Sequence, residues 1–155
     1  MRKKFLILML LFSVNPSGFA QLNLVSFEQI DSLQNIEKRK VVIFIHTDWC
    51  QFCHAMKNTT FKNENIIKEL NDNFYFIDLN GGEERTITFN EATFKFKSTG
   101  NNSGIHELAL QLGTVNKQLN YPVLCVLNSD NEIIFQDNNY IKPKEFKIIL
   151  EKLKE

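Results

Sequence analysis

The stretch "VVIFIHTDWCQFCHAMK", Val41 to Lys57, changes character at its middle. Val41–Ile45 is unbroken apolar and mostly β-branched, the composition of a strand buried on both faces. Phe52, Ala55 and Met56 then recur at a spacing compatible with a helix. Between strand and helix stand Cys50 and Cys53, so the sequence places a close cysteine pair where a central strand hands over to a helix.

The spelling Cys50-Gln51-Phe52-Cys53-His54 has two chemical meanings, a c-type haem attachment and a thiol redox pair. Haem would need His54 as one axial ligand and a second His or Met elsewhere. His46, His106 and Met56 are the candidates, and none stands in a setting that marks it as a ligand. Position favours sulfur chemistry. Unpaired N–H groups and the positive dipole end of a helix N-terminus stabilise thiolate, lowering a cysteine pKa from ~8.5 to roughly 3.5–7.5. Cys50 occupies that position and is read as the nucleophile. Cys53, almost one turn further, is read as the less exposed resolving thiol that closes the ring. A zinc site would need about four ligands, and only scattered His and the distant Cys125 could complete one. A static C-x-x-C staple would close too small a loop to constrain the unfolded chain. Cys125, inside the apolar Val123–Leu127, reads as a buried structural thiol.

Working outward, Ser26-Phe27-Glu28-Gln29 has capping-box form, and Phe27, Ile30, Leu33 and Ile36 predict a helix over 27–38. After the cysteine helix, Asn63 caps a helix carrying Ile66, Ile67 and Leu70, and Phe74–Leu79 reads as a second strand. Residues 86–97 alternate Phe and Ile with polar residues around Asn90-Glu91-Ala92, predicting a hairpin inserted at the edge of the main sheet. A polar loop, Thr99–Gly104, leads to a helix with Ile105, Leu108, Ala109 and Leu112, stopped by Gly113; His106 is read as a surface or capping residue. Val123–Leu127 and Ile133–Phe135 form a hairpin, and Pro143 opens the last helix. Helices covering both faces of a mixed central sheet make this an α/β sandwich of three layers.

The first twenty residues read as a signal peptide. Arg2, Lys3 and Lys4 precede the apolar Phe5–Phe12, and Gly18 and Ala20 suit a cleavage site after Ala20. That apolar run is far short of the ~20 residues of a membrane span, so the expectation is an exported domain of residues 21–155 without stable membrane insertion. Its 15 Lys and Arg against 18 Asp and Glu are mildly acidic and offer no basic stripe for nucleic acid. Three Cys is an odd number for a pure disulfide scaffold, and it fits a working pair with one bystander.

Trp49-Cys50-x-x-Cys53 after an apolar strand, with Tyr121-Pro122 opening another strand roughly seventy residues on, resembles the thioredoxin superfamily. "TDWCQFCHAMKNTTFKNENI" is most similar to exported thioredoxin-like proteins and to the C-terminal domain of DsbD-type thiol:disulfide interchange proteins. The resemblance implies a cis Pro122 beside the cysteine pair, a Tyr121 backbone free to pair with a substrate strand, and Trp49 shaping the docking surface. It implies an oxidoreductase that exchanges disulfides with client proteins, needs no metal or organic cofactor, and works outside the cytoplasm, as in a periplasm, with a membrane electron donor or acceptor. A reductase or electron relay is the expected direction. Three departures from thioredoxins proper stand out. Gln51-Phe52 replaces Gly-Pro between the cysteines, Phe44 replaces the buried Asp six residues before the first Cys, and His54 stands where Lys is common. Redox poise therefore falls to Gln51 and Phe52, and His46 becomes the candidate base. His54 either tunes the thiolate or is solvated. The competing reading is a non-catalytic thioredoxin-like module that uses its cysteine pair to bind a metal or hold a partner.

Overall fold

The computed structural model describes residues 21–101 and 103–155, and the leader expected at 1–20 lies outside the described residues. In chain order the elements are α1 (Phe27–Ile36), β1 (Lys40–His46), α2 (Gln51–Asn58), a 3-10 turn (Thr60–Lys62), α3 (Glu64–Asn73) and β2 (Phe74–Asn80). Two short hairpins follow, β3 (Ile87–Phe89) with β4 (Ala92–Phe94) and β5 (Phe96–Gly100) with β6 (Ser103–His106). Then come α4 (Glu107–Gly113), β7 (Val123–Leu127), β8 (Ile133–Asp137) and α5 (Pro143–Lys154). The local signals act as the sequence predicts. Ser26 N–H donates to Gln29 Oε1 at 2.8 Å, Asn63 Oδ1 accepts from the amides of Asn65 and Ile66, and Pro143 occupies the first turn of α5, where no N–H is needed.

The main sheet runs β2-β1-β7-β8, with β1 parallel to β2 and antiparallel to β7. Alternation along β1 sends side chains to two separate cores. Val41, Ile43 and Ile45 join Val123, Cys125 and Leu127 beneath α1 and α4. Val42 and Phe44 join Leu124 and Val126, Cys50 and Cys53, and the apolar sides of α2, α3 and α5. Each fully buried Leu, Ile or Phe contributes about 1.5–3 kcal/mol, which is why a strand buried on both faces organises the fold. Among the described residues no helix is long and apolar enough to cross a membrane.

The insertion differs from expectation. The hairpin expected near 86–97 is β3–β4, turning through Asn90 and Glu91, both in the left-handed region at φ 50° and 61°, as a tight hairpin turn requires. It does not extend the main sheet, however; it forms its own two-stranded unit, packed on α1 through Phe27 and Phe89 at 5.1 Å. The stretch read as a polar loop holds a second hairpin, β5–β6. Its Lys97, Ser98, Ser103 and Gly104 lack the apolar alternation that marks a strand with one buried face, so only the backbone pairing defines it. Gly104 lies flat against the Phe96 ring, where any Cβ would collide with that ring.

Helix α4 consequently starts at Glu107, after Ile105. His106 is its cap but not a surface residue: it is fully buried, Nδ1 accepting from the Leu108 amide at 3.2 Å while Nε2 donates to the Arg85 carbonyl at 3.1 Å. Gly113 ends α4 without a left-handed conformation; the lack of a side chain matters there because a Cβ would lie 2.7 Å from Leu119 Cδ1.

Candidate active site

Cys50 sits at the N-cap of α2 with an extended backbone, φ −80° and ψ 104°. A turn from the Cys50 amide to the Thr47 carbonyl (3.2 Å) lifts the chain off β1, and the His54 amide donating to the Cys50 carbonyl (3.1 Å) starts the helix. Cys50 Sγ accepts the Cys53 amide at 3.1 Å and is bonded to Cys53 Sγ at 2.06 Å. An N-cap acceptor satisfies a helical N–H that has no other partner, so the sulfur occupies the place that an Asp or Ser oxygen takes in other helices. When the disulfide opens, that same amide and the helix dipole favour thiolate at Cys50.

Both sulfurs are sheltered, Cys50 at 4% exposure and Cys53 at 1%, but the residues beside them are not. Trp49 is 75% exposed and Phe52 64%. Trp49 meets the Tyr121 ring edge-on at 5.8 Å, and Phe52 tilts against Tyr140 at 6.2 Å. The Tyr121–Pro122 peptide is cis, and Pro122 is buried. Tyr121 is half-buried, its phenol pKa pushed up by burial, and its hydroxyl has no hydrogen-bond partner. The Gly81 backbone abuts that hydroxyl so closely that a Cβ there would overlap it. Gly81 also ties the end of β1 to the insertion, donating to the His46 carbonyl at 2.6 Å and accepting from the His106 amide at 2.8 Å.

Of the tuning candidates, Gln51 is solvent-exposed. His54 donates from Nε2 to the Asp48 carbonyl at 2.7 Å, so its ring braces the loop that carries Trp49. His46, 8% exposed, lies on the same side of β1 as Phe44 and meets two partners that sequence reading missed. Its Nε2 is 2.7 Å from Asp78 Oδ1 and 2.8 Å from Lys57 Nζ, and Lys57 Nζ donates to Asp78 Oδ2 at 2.8 Å. One nitrogen cannot serve both neighbours. As N–H it donates to Asp78, and as a lone pair it accepts from Lys57. The one available signal was Asp78 itself, an acid inside the apolar run Phe74–Leu79.

Burial opposes the charge on Asp78, yet hydrogen bonds from His46 and Lys57 outweigh it and hold the carboxyl below its usual 3.8. A carboxylate with a lowered folded pKa adds stability above its unfolded pKa and loses it as pH falls through the folded one. Asp78→Asn is therefore expected to cost about 1 kcal/mol at pH 7, the scale of a partly exposed charged cluster, and to flatten the loss of stability below about pH 4. Urea melts at pH 7 and pH 3 check this; equal losses from wild type and variant on acidification would refute the ionic role.

Cys125 faces the opposite core from Cys50 and Cys53, across the sheet, so it cannot exchange with that pair or complete a ligand set with it. Burial pushes its thiol up to about 12. At pH 7 on the order of 10⁻⁵ of it is ionised. Iodoacetamide is expected to leave Cys125 unmodified in the folded protein and to label it only in denaturant, read by peptide mass spectrometry; rapid native labelling would contradict the burial.

A C-x-x-C disulfide at the N-terminus of a helix, with a cis proline just before a strand of the same mixed sheet, defines the thioredoxin class. The chain belongs to the thioredoxin-like family: the model of the thioredoxin-like domain matches residues 27–154. Among solved structures it is similar to the DsbH oxidoreductase, at 11% identity over 93% of this chain and 92% of that one, with a TM-score of 0.61. A thioredoxin from Thermus thermophilus aligns at 15% identity over 86% and 87%, TM-score 0.60. The C-terminal domain of DsbD from Neisseria meningitidis, in its reduced form, aligns at 16% identity over 81% and 90%, TM-score 0.53. These likenesses concern the fold. No curated protein sequence is significantly similar to this chain.

Proposed function

We propose that this protein is an exported thiol:disulfide oxidoreductase that passes electrons to client proteins, acting as a reductase or relay. The observation that carries the proposal is Cys50 Sγ at the N-cap of α2, bonded to Cys53 and accepting its amide between two exposed aromatic residues. Cys50 thiolate attacks a client disulfide, one client sulfur leaves as thiol, and Cys53 then displaces the other to regenerate the Cys50–Cys53 bond. Two electrons pass to the client, and no further cofactor enters. Trp49, Tyr121 and Pro122 form the docking surface beside the sulfurs. His46, within its cluster with Asp78 and Lys57, takes the proton released by Cys53, in place of the carboxylate that Phe44 replaces. Gln51 and Phe52 set the potential, His54 steadies the loop, and residues 1–20 direct export, so that a membrane carrier resupplies electrons to residues 21–155.

The DsbH oxidoreductase and the DsbD domain among the structural neighbours agree with this class of chemistry. The test is equilibration in glutathione redox buffers followed by alkylation of free thiols. A midpoint within the buffered range is expected, and ~30 mV corresponds to about 1.4 kcal/mol for this couple, so the value assigns the direction of transfer. A pair that stays oxidised at every ratio would be a static staple and would remove the proposal.

A further inference from the structure

Beside Trp49 opens a cleft of about 940 Å³, near the upper end of the ~300–1,000 Å³ that ligand sites occupy, large enough for several residues of extended chain. Its base is made where β1 and β2 end, at Thr47 and Asn80, and Trp49 and Tyr121 form the side toward the sulfurs. The β5–β6 hairpin contributes Phe96, Ser98 and Gly104 to the lining. Gly81 bridges the His46 carbonyl at the end of β1 and the His106 amide at the end of that hairpin.

Two features of the lining point to an occupant. The first is charge: Asp48 and Glu84 bring carboxylates, and among the described residues no Lys, Arg or His lines the cleft. Arg85, next to Glu84, is paired with Glu28 at 3.0 Å, and Lys97, next to Ser98, with Glu107 at 2.8 Å. Asn80 satisfies only Asp48 Oδ1, at 3.0 Å. The second is unmet hydrogen bonding. Thr47 is 94% buried, judged from its 6% exposure, and its Oγ1 lacks a partner, as does the Tyr121 hydroxyl. Buried hydroxyls without partners are uncommon in folded proteins, and both of these belong to residues that line the cleft.

We infer that this cleft is a specificity subsite for a client segment carrying a Lys or Arg side chain close to its reacting cysteine. The inference rests on the oxidoreductase reading and deepens it: the inserted hairpin turns a general disulfide site into one that selects cationic neighbourhoods. An ammonium or guanidinium supplies both what the lining lacks, positive charge for Asp48 and Glu84, and N–H donors for the two hydroxyls.

The test uses three peptides, alike except for Lys, Ala or Glu two residues from a single cysteine held as its mixed disulfide with 2-mercaptoethanol. Reduced protein is mixed with each, and the rate is divided by that of the same variant with bis(2-hydroxyethyl) disulfide. Wild type is expected to favour the Lys peptide over the Glu peptide about tenfold at low ionic strength, less in salt. In Glu84→Gln combined with Asp48→Asn the preference falls to about twofold or below. Equal rates for all three peptides, or a preference that survives the double substitution, would overturn the inference. If the small disulfide is not reduced either, the oxidoreductase reading fails on its own. The cleft is then decided by titrating the fluorescence of Trp49, the single tryptophan, with cysteine-free peptides. Tighter binding of the Lys peptide supports the subsite, and equal or absent binding rejects it.

Discussion

Cys50→Ala is expected to lower the rate of insulin disulfide reduction by on the order of 10³-fold or more, as removal of a covalent nucleophile does. The physical basis is the asymmetry of the pair. Cys50 caps α2, so its thiolate is stabilised by an amide that needs an acceptor, whereas Cys53 lies one turn down at 1% exposure. With Cys50 gone, the remaining thiol is poorly placed for attack. Cys53→Ala should behave differently: attack by Cys50 persists, resolution does not, and a mixed disulfide with the client accumulates as a stable mass increment. Undiminished reduction by Cys50→Ala would remove the assigned roles, and a Cys53→Ala protein that never forms an adduct would show that Cys50 is not the attacking sulfur.

Phe44→Asp tests the fold where it departs from thioredoxins proper. Phe44 is 1% exposed, meets Phe61 edge-on at 4.7 Å, stacks on His46 at 5.6 Å, and has the Lys57 ammonium 5.9 Å from its ring centre. Truncating a buried Phe costs about 3–5 kcal/mol, and burying a carboxyl in its place adds desolvation. A loss above about 4 kcal/mol is expected against a total of roughly 5–15, which with a urea slope of about 2 kcal/mol/M moves the midpoint down by about 2 M. Phe44→Leu, which keeps much of the apolar volume, should cost under about 1.5 kcal/mol. A midpoint for Phe44→Asp within ~0.5 M of wild type would mean that this core has room for a carboxylate, as the thioredoxin resemblance would lead one to look for.

The elements that build the main sheet were legible because each carries its own signal. Val41–Ile45 and Val123–Leu127 are apolar without interruption, since both faces of those strands are covered, and alternation is absent for the same reason. The place of Cys50 and Cys53 was legible because it is a local arrangement, a strand end followed by a helix start. The β5–β6 hairpin was not, because its residues face water and its pairing is a backbone property to which polar side chains give no pattern. The same limit hid Asp78 and Lys57 as partners of His46: they come from three different elements, and only the parallel register that sets Phe44 opposite Asp78 brings them together.

Composition and spacing alone thus establish a three-layer α/β sandwich with a cysteine pair at its strand–helix junction, because burial and capping act over a few neighbouring residues. Tertiary structure decides which face each cysteine occupies, isolating Cys125 from the pair, and it decides what surrounds the disulfide. The cleft walled by the insertion, with Asp48, Glu84 and the unpartnered Thr47 hydroxyl, joins positions far apart in the chain. Contacts of that range depend on how layers pack and strands register, which no local pattern of residues records.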